Sequence, residues 1–380
     1  MRTGPIACIA LLQLGCHGAG NFASGATGEP QTVITNDSFT AVAVARFREP
    51  WAMTFLPDGR LLVTEKRGAL KLHTLGGATT DISGVPEVDY GGQGGFGDVV
   101  LHPKFSENQL VYLSYVEEGR GRTRGAAVAR GRLELNQQGS GALKDLEVIW
   151  RQAPKVSGHG HYGHRIAFGP QGHLWISSGE RQKFDPAQDM QANLGKIVRL
   201  NDDGSIPADN PFASQGGVTA QIWSLGHRNP LGLAFDAKSW PWNVEMGPRG
   251  GDELNHVERG ANYGYPIVSN GDHYSGKDIP DHATRPEFHA PAVSWNPVIS
   301  PSSLLIYSGS EFPEWQGDGF IGGLSSESLV RIEFDGEQAR EAERFDMQER
   351  IREVEQGPDG ALWLLEDGGS GRLLKLTRPE

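Results

Sequence analysis

The chain has 380 residues, of which 37% are hydrophobic and 22% charged, so it can bury one large core or two ordinary ones. Its formal net charge of −12 argues against a nucleic-acid partner, because phosphate neutralisation needs lysine and arginine in excess. The 52 glycines and 23 prolines follow neither a collagen period nor a low-complexity pattern, and they indicate many turns between short strands.

The N-terminus has the features of an export signal. Arg2 supplies a positive charge, residues 6–14 form an apolar run, and the sequence LQLGC that ends at Cys16 resembles a lipoprotein cleavage site. Gln13 stands where an aliphatic residue is usual, so acylation of Cys16 and ordinary signal cleavage are both open, beside an apolar terminus without function. Export predicts an extracytoplasmic protein, periplasmic or lipid-anchored to the cell envelope. Cys8 and Cys16 are the only cysteines, so the folded part has no disulfide.

Six hairpin signatures follow one another along the rest of the chain. Each combines a turn, three of them Pro-x-Gly, with an alternating or apolar strand. They begin at Phe55, Leu101, Phe168, Leu233, Leu305 and Gln356. Six hairpins with unequal loops favour radial repetition of small antiparallel sheets, and we predict an all-β, six-bladed β-propeller. Two separate β domains are the alternative, which the lack of a Pro/Ser-rich linker after residue 40 disfavours.

The predicted partition of the chain has three parts. They are a signal peptide over residues 1–16, a flexible tether over residues 17–40 and a catalytic propeller domain over residues 41–380. Binding and catalytic residues are concentrated on loops that a rigid scaffold positions, so the chemistry is expected in the loops of the propeller.

The first candidate loop, Tyr90–Asp98 (YGGQGGFGD), resembles a phosphate-binding loop only superficially. It lacks the lysine of a P-loop, and a strand pattern rather than a helix follows from Val99. A nucleotide site is therefore disfavoured. Gln93, flanked by glycines, is instead expected to present its amide to a ligand that approaches the backbone closely.

The segment His159–Arg165 (HGHYGHR) carries three histidines just before a predicted strand. In an extended backbone His159 and His161 point the same way, and a neutral imidazole can act as a general base near neutral pH. Zinc binding is one alternative, which the lack of further cysteines and of an HExxH helix weakens. Exposed loop histidines without function are the other.

The segment Leu225–Pro266 concentrates polar side chains among glycines and prolines, where few apolar residues can pack. The carbonyl oxygens of Gly247 and Pro248 are available to a cation. Asp252 and Glu253 add hard carboxylates, which favour calcium over zinc although the EF-hand pattern is absent.

Two arginines near the C-terminus, Arg350 and Arg352, alternate along a predicted strand, so both guanidinium groups lie on one face. Together with Arg228 they could form an anion pocket in an otherwise acidic protein. Solvated surface arginines are the alternative.

An ordered set of motifs resembles one known family. The motifs are GQGGFGDVVLHPKF, HYGHRIAFGPQGHLWISSGE, LGHRNPLGLAFD, GPRGGDELN, GANYGYP and RIREVEQGPDGALWLL. They are similar to the soluble pyrroloquinoline-quinone (PQQ) dependent glucose/sorbosone dehydrogenases, most closely the aldose sugar dehydrogenase branch, over residues 47–376. That family is a six-bladed propeller with PQQ over the central channel. The resemblance implies PQQ- and calcium-dependent oxidation of aldoses to lactones by hydride transfer to PQQ.

The resemblance also implies a role for each matched residue. His161 would be the general base, in a motif H-x-x-G-R whose glycine is His164 here. Arg228 would polarise the quinone oxygen during catalysis. The cofactor contacts would be Gln93, Arg228, Asn229, Arg350 and Arg352. The carbonyls of Gly247 and Pro248 would hold a calcium ion that bridges to PQQ, and Glu253 with the carbonyl of Tyr263 would hold a second, structural calcium ion.

The chain departs from the family pattern at two positions. Ser325 stands where glucose-oxidising relatives place a lysine against the cofactor, and Gly160 before His161 offers no carboxylate to a substrate.

The expected partners are an aldose and an unidentified electron acceptor, with no nucleic acid and a membrane contact only through a lipid on Cys16. Both a monomer and a homodimer agree with the sequence. The alternatives are a catalytically silent propeller that binds a glycan or a protein, and a calcium-dependent lactonase.

Overall fold

A computed structural model of the protein describes residues 31–136 and 139–379. The predicted signal peptide and Cys16 lie outside these described residues. The described chain forms six antiparallel blades, five built on four-stranded sheets and the last on a five-stranded one, and the innermost strand of each contacts the innermost strands of its two neighbours in a closed ring. The predicted six-bladed propeller is therefore confirmed.

The N-terminal strands and the first three blades have the following bounds. The N-terminal strands are β1 (Gln31–Thr35) and β2 (Thr40–Phe47). Blade 1 contains β3 (Pro50–Phe55), β4 (Leu61–Glu65), β5 (Ala69–His73) and β6 (Thr79–Ser83). Blade 2 contains β7 (Phe96–Leu101), β8 (Leu110–Glu118), β9 (Arg124–Leu135) and β10 (Gly141–Arg151). Blade 3 contains β11 (Gly163–Phe168), β12 (Leu174–Ser178), β13 (Lys196–Leu200) and β14 (Ile222–Leu225).

The remaining three blades complete the ring. Blade 4 spans β15 (Pro230–Phe235), β16 (Pro241–Glu245), β17 (Arg249–Gly250), β18 (Asp252–His256), β19 (Gly271–Asp272) and β20 (Val293–Trp295), of which β17 and β19 form a separate ribbon. Blade 5 contains β21 (Pro301–Ile306), β22 (Gly319–Gly323), β23 (Ser328–Asp335) and β24 (Gln338–Asp346). Blade 6 contains β25 (Ile351–Gln356), β26 (Leu362–Glu366), β27 (Gly371–Thr377), β2 and β1.

Helical structure is confined to single turns. The described α-helix is α1 (Phe105–Asn108), between β7 and β8. The 3₁₀ turns are Arg120–Arg122, Asp185–Ala187, Ala213–Gln215, Thr219–Gln221, His282–Thr284 and Pro313–Trp315. Within the ranges that the structure describes, no helix has the length and apolar character needed to cross a membrane.

The N-terminal strands close the ring. Strand β2 pairs antiparallel with β27, so the last blade is completed by the first part of the chain, and β1 pairs with β2. The predicted tether is therefore wrong for residues 31–40, which belong to the folded sheet. Small polar residues suggested a tether, but Asn36 builds the turn between the two strands: its side-chain oxygen accepts hydrogen bonds from the amides of Ser38 (2.9 Å) and Phe39 (2.8 Å).

Buried apolar side chains from neighbouring blades pack against each other. Met53 and Val63 of blade 1 pack with Trp363 of blade 6, and Trp242 of blade 4 packs with Val330 of blade 5. Full burial of one such aliphatic side chain contributes about 1.5–3 kcal/mol. Because every blade contributes to two such interfaces, the ring leaves few exposed strand edges.

All six predicted hairpins join the first and second strands of a blade, at one mouth of the channel. The opposite mouth therefore receives the loops that enter each first strand and leave each second strand. The loops predicted to carry the chemistry lie at this opposite mouth.

Candidate active site

Two neighbouring cavities lie over the channel mouth that is opposite the six hairpins. The first has a volume of about 320 Å³ and is lined by Lys66, Gln93, Asn229, Arg350 and Arg352, among others. We refer to it as the cationic cavity. Its volume falls at the lower end of the range for small-molecule sites. The second cavity lies beside it, and several residues that line it directly precede, in the same loops, residues that line the first.

Three basic side chains give the cationic cavity its character. Arg350 and Arg352 share one partner, Asp367, whose two carboxylate oxygens accept hydrogen bonds of 2.9 Å from Nε of Arg350 and from Nη2 of Arg352. Lys66, which sequence analysis did not select, lines the same space. Two acids also line it, Asp367 and Glu49, but Glu49 pairs with Arg67 at 2.6 Å, so this cavity suits an anionic ligand, above all a carboxylate.

The second cavity, which we call the histidine cavity, has a volume of about 240 Å³. Its lining includes His161, Glu180, Arg228, Phe184 and Tyr274. Phe184 and Tyr274 are 43% and 73% exposed, so the cavity has an open aromatic rim above a polar floor. Aromatic faces beside hydrogen-bonding groups suit a ligand with both apolar and polar surface, such as a sugar ring.

His161 is held by Glu180, a buried residue that sequence analysis missed. Nδ1 of His161 lies 2.5 Å from Oε1 of Glu180, which leaves Nε2 as the ring nitrogen available to a ligand. Glu180 also accepts hydrogen bonds from the backbone amides of Gln182 (2.9 Å), Lys183 (2.5 Å) and Phe184 (2.6 Å). The carboxylate thus fixes both the imidazole and the loop that carries Phe184.

The pKa shifts of His161 and Glu180 favour a neutral imidazole next to an ionised carboxylate. Burial lowers the pKa of His161 below its ordinary value, and the hydrogen bond to Glu180 opposes that shift. Burial acts to raise the pKa of Glu180, but the hydrogen bond with His161 and the Phe184 amide keep it below its usual value. A neutral imidazole beside an ionised carboxylate can take a proton at Nε2 near neutral pH.

The three histidines of the segment do not converge on a metal. His161 has a φ of 51°, so the backbone is not extended there, and the expectation that His159 and His161 point the same way is wrong. His159 is exposed, whereas Nδ1 of His164 lies 3.0 Å from Oγ of Ser114. Burial lowers the pKa of His164 to about 3, which keeps it neutral. His164 has a φ of 54°, a left-handed conformation that glycine adopts without strain.

Gln93, Arg228 and Asn229 lie between the two cavities. The Gln93 side-chain oxygen accepts a hydrogen bond from the His161 amide (2.7 Å), and that of Asn229 accepts one from the Gly163 amide (3.2 Å). Nη1 of Arg228 donates to the carbonyls of Met246 (2.9 Å) and Gly247. Arg228 lines the histidine cavity, so it does not join the two C-terminal arginines in one anion pocket as the sequence suggested.

Glu253, predicted for the second calcium ion, lines the same small space as Gly247 and Pro248, which were predicted for the first. Gly247, Pro248 and Glu253 border a volume of about 10 Å³, close to what a single water molecule needs, together with Glu245. Glu245 and Glu253 face each other across the sheet and both are buried. Burial raises the pKa of Glu253, and its nearest donors, His282 and Asn255, stand at 3.4 Å. Glu245 is already held by the Arg228 amide (2.6 Å) and by Nδ1 of His227 (2.8 Å), so Glu253 is the buried carboxylate with weak partners, which fits a hard cation.

The other two oxygen donors are placed differently. Tyr263 does not line this space, although its backbone amide is fixed to the Leu225 carbonyl at 2.9 Å. Both carboxylate oxygens of Asp252 accept hydrogen bonds from backbone amides, namely those of Gly247 (2.8 Å), Ile299 (2.9 Å) and Ser300 (2.7 Å). Asp252 therefore stabilises the loop rather than offering a free ligand oxygen.

A buried proton acceptor next to a cavity that suits anions is an arrangement typical of catalytic sites. Together with the six-bladed fold, it indicates an enzyme of the propeller class. The chain belongs to the glucose/sorbosone dehydrogenase family, whose profile matches residues 47–375, and it is an oxidoreductase of that family. The resemblance inferred from the ordered motifs is thereby confirmed.

Named relatives and solved structures agree with this assignment. The chain is 41% identical over 337 residues to aldose sugar dehydrogenase YliI of Escherichia coli, covering 86% of this chain and 90% of the relative. The apo-form crystal structure of the soluble aldose sugar dehydrogenase from E. coli superposes with a TM-score of 0.84 at 38% identity, over 90% of this chain and 100% of that chain. The PQQ-bound aldose sugar dehydrogenase from Streptomyces coelicolor gives a TM-score of 0.73 at 26% identity, over 90% and 99%.

Proposed function

We propose that the protein oxidises aldoses at the anomeric carbon to lactones, with PQQ as the hydride acceptor and His161 as the general base. The observation that carries the proposal is the buried His161–Glu180 pair in a cavity next to one that suits carboxylates. The relatives named above are an aldose sugar dehydrogenase and a PQQ-bound form of one, which supports both the substrate class and the cofactor.

The cationic cavity fits PQQ by charge and size. PQQ carries carboxylates, and Arg350 and Arg352 present their guanidinium groups to the cavity while Asp367 holds them in place. Gln93 and Asn229 add amides on the side facing the histidine cavity. When bound, PQQ supplies a quinone carbon that accepts a hydride.

The residues of the histidine cavity then do the acid–base work. His161 takes the proton of the anomeric hydroxyl at Nε2, while the hydride leaves the anomeric carbon, so proton and electron pair are both accounted for. Glu180 holds the imidazole through Nδ1 and stabilises the charge that His161 gains. Arg228, between the cavities, adds positive charge where an oxygen becomes negative. Phe184 and Tyr274 offer aromatic faces to the sugar ring.

We further propose that calcium binds at the space bordered by Gly247, Pro248 and Glu253, and that the Tyr263 carbonyl belongs to a second, structural site. The first part is supported by the buried Glu253 carboxylate, whose donors stand at 3.4 Å, beside Gly247 and Pro248. At the first site, the Gly247 carbonyl must give up its hydrogen bond from Arg228 to bind a cation.

Calcium dependence gives a test of this site. Glu253→Gln removes one of two facing carboxylates, so the calcium concentration for half-maximal reactivation after chelation is expected to rise at least roughly tenfold. Calcium titration of dye-reducing activity and of the thermal unfolding midpoint measures both effects. Glu287→Gln is the matched control, because Glu287 is exposed and distant from the predicted ligands in sequence. An unchanged calcium requirement in Glu253→Gln would place the ion elsewhere.

The pH dependence tests the role of His161. The base must be neutral, so kcat/KM is expected to fall as the pH drops through the His161 pKa, below 6.5 because burial lowers that pKa. Glu180→Gln removes the hydrogen bond that raises the pKa, so the acidic limb moves to still lower pH. The maximal rate also falls, by less than the ~10²–10⁴-fold that general-base catalysis supplies in full. Stopped-flow rates over the pH range measure the profile, and an unmoved limb would contradict the assignment.

The proposed function has a direct test. The purified apo-protein is mixed with PQQ and calcium, and dye reduction is followed with a panel of aldoses. Calcium-dependent turnover supports the proposal. No PQQ binding would favour the catalytically silent propeller, and lactone hydrolysis without PQQ would favour the lactonase.

We also propose that the protein is exported, because a charge at Arg2 precedes the apolar run over residues 6–14. On this proposal the catalytic domain acts outside the cytoplasm, free or attached by a lipid on Cys16. Mass spectrometry of the mature N-terminus from the native host distinguishes the two.

A further inference from the structure

Lys66 has a backbone that is fixed on both sides at the cavity mouth. It follows β4 directly, and its amide donates to the Glu49 carbonyl (3.0 Å) while its carbonyl accepts from the Phe96 amide (2.9 Å). Gly95, beside it, has a φ of 137°, and a Cβ there would lie 2.2 Å from the Lys66 carbonyl oxygen. Only glycine allows this approach, so blades 1 and 2 hold Lys66 in place.

The Lys66 ammonium group is bound by a backbone carbonyl rather than by an acid. Nζ donates to the Gly92 carbonyl at 3.1 Å, in the loop that carries Gln93. Asp367 is taken by the two arginines, and Glu49 is taken by Arg67 at 2.6 Å. Within residues 31–136 and 139–379, Lys66 forms no ion pair. Burial and then the neighbouring Arg352 lower the Lys66 pKa, and the charges of Glu49 and Asp367 oppose that shift without forming an ion pair with Lys66.

Ser325 does not supply the positive charge that family resemblance places at its position. Its Oγ lies 2.7 Å from Oγ of Ser300, and Leu324 rather than Ser325 lines the cationic cavity. The cavity therefore has two arginines from blade 6 and one free cation from blade 1. A ligand with several carboxylates would need several such cations.

We propose that Lys66 binds a carboxylate of PQQ, in addition to those bound by Arg350 and Arg352. This inference rests on the proposed function, because it assigns a new residue to the binding of the proposed cofactor. The hydrogen bond from Nζ to the Gly92 carbonyl holds the ammonium group toward the cavity and leaves its other two protons for the ligand. The alternative role is structural: Lys66 would only fasten the glycine loop.

Binding measurements separate the two roles without any measurement of activity. PQQ and its trimethyl ester are titrated into the calcium-loaded apo-protein, and quenching of tryptophan fluorescence gives Kd. Lys66→Gln is expected to weaken PQQ binding roughly ten- to a hundredfold, the effect of one charged hydrogen bond. Lys66→Arg keeps the charge and retains most of the affinity. The ester, without charged carboxylates, is expected to bind the wild type and Lys66→Gln equally.

Each outcome decides the proposal. Lys104→Gln serves as the control for net charge, since Lys104 is exposed on the turn before α1. Unchanged PQQ affinity in Lys66→Gln would overturn the role of Lys66 and leave the proposed function standing. Equal loss of PQQ and ester affinity would also overturn it, in favour of the structural role. If the wild type binds no PQQ, the proposed function and this inference both fail.

Discussion

Replacing His161 with asparagine is expected to lower turnover ~10²–10⁴-fold while PQQ still binds. Asparagine keeps a polar side chain of similar reach but cannot accept a proton at neutral pH. The backbone amide of His161, which donates to Gln93, is retained in this variant, so the contact between the two loops survives. Steady-state kinetics with the best aldose give kcat, and fluorescence titration gives the PQQ affinity.

His159→Asn is the matched control for this variant. His159 is exposed and lies two residues before His161, so the same substitution there leaves turnover unchanged. A loss of more than about tenfold in both variants would show that the loop, rather than the base, had been damaged. Normal turnover in His161→Asn would move the base to another residue and remove the central observation of the proposed function.

The six-bladed ring was predictable because its signal is local. A Pro-x-Gly turn before a buried strand recurs in three blades, and weaker forms of the same hairpin occur in the other three. The closing strand was not predictable in this way, because the pairing of β2 with β27 joins opposite ends of the chain. Sequence composition around Asn36 suggested a tether, but the long-range partner made it part of a sheet.

The candidate site was predictable in part. Sequence analysis searched the loops that precede each first strand, and those loops hold Gln93, His161 and Arg228. Positions just after a second strand, which reach the same mouth, were considered at Gly247, Pro248 and Ser325 but not in blades 1 and 3. Lys66 and Glu180 lie there, after β4 and β12. A charged residue within two positions of the end of a fully buried second strand was the signal that could have found both.

Arg165 shows most clearly what spacing alone cannot reveal. In the sequence, Arg165 served only to align the histidine motif with the family pattern. In the structure, its side chain lies in the central channel and contacts all the other innermost strands. The contacts are the Trp51 ring on β3 (4.3 Å to the centroid), Asp98 on β7 (3.2 Å), the Leu231 carbonyl on β15 (2.9 Å), the Ser302 carbonyl on β21 (2.8 Å) and Glu353 on β25 (2.6 Å).

Arg165→Met is therefore expected to lower the free energy of unfolding by about 3–5 kcal/mol at pH 8, because it leaves the buried Glu353 and Asp98 without their cation. Burial raises the pKa of Glu353 to about 8, and Arg165 opposes that rise. A group whose pKa is higher in the folded state stabilises the fold below its unfolded pKa and loses that contribution as the pH rises through the folded value. At pH 5 Glu353 is protonated in both proteins, so the loss caused by Arg165→Met shrinks.

Urea unfolding of both proteins at pH 5 and pH 8 measures this difference. Arg199→Met is the control, because Arg199 is also buried but its acidic partner Asp209 is 73% exposed and can be solvated once the arginine is gone. The loss for Arg199→Met is expected to be about 1–2 kcal/mol, mainly from its hydrogen bond to Asn210, and to change little between the two pH values. A loss for Arg165→Met that is equally small, or independent of pH, would show that the six blades do not depend on the charge at their centre.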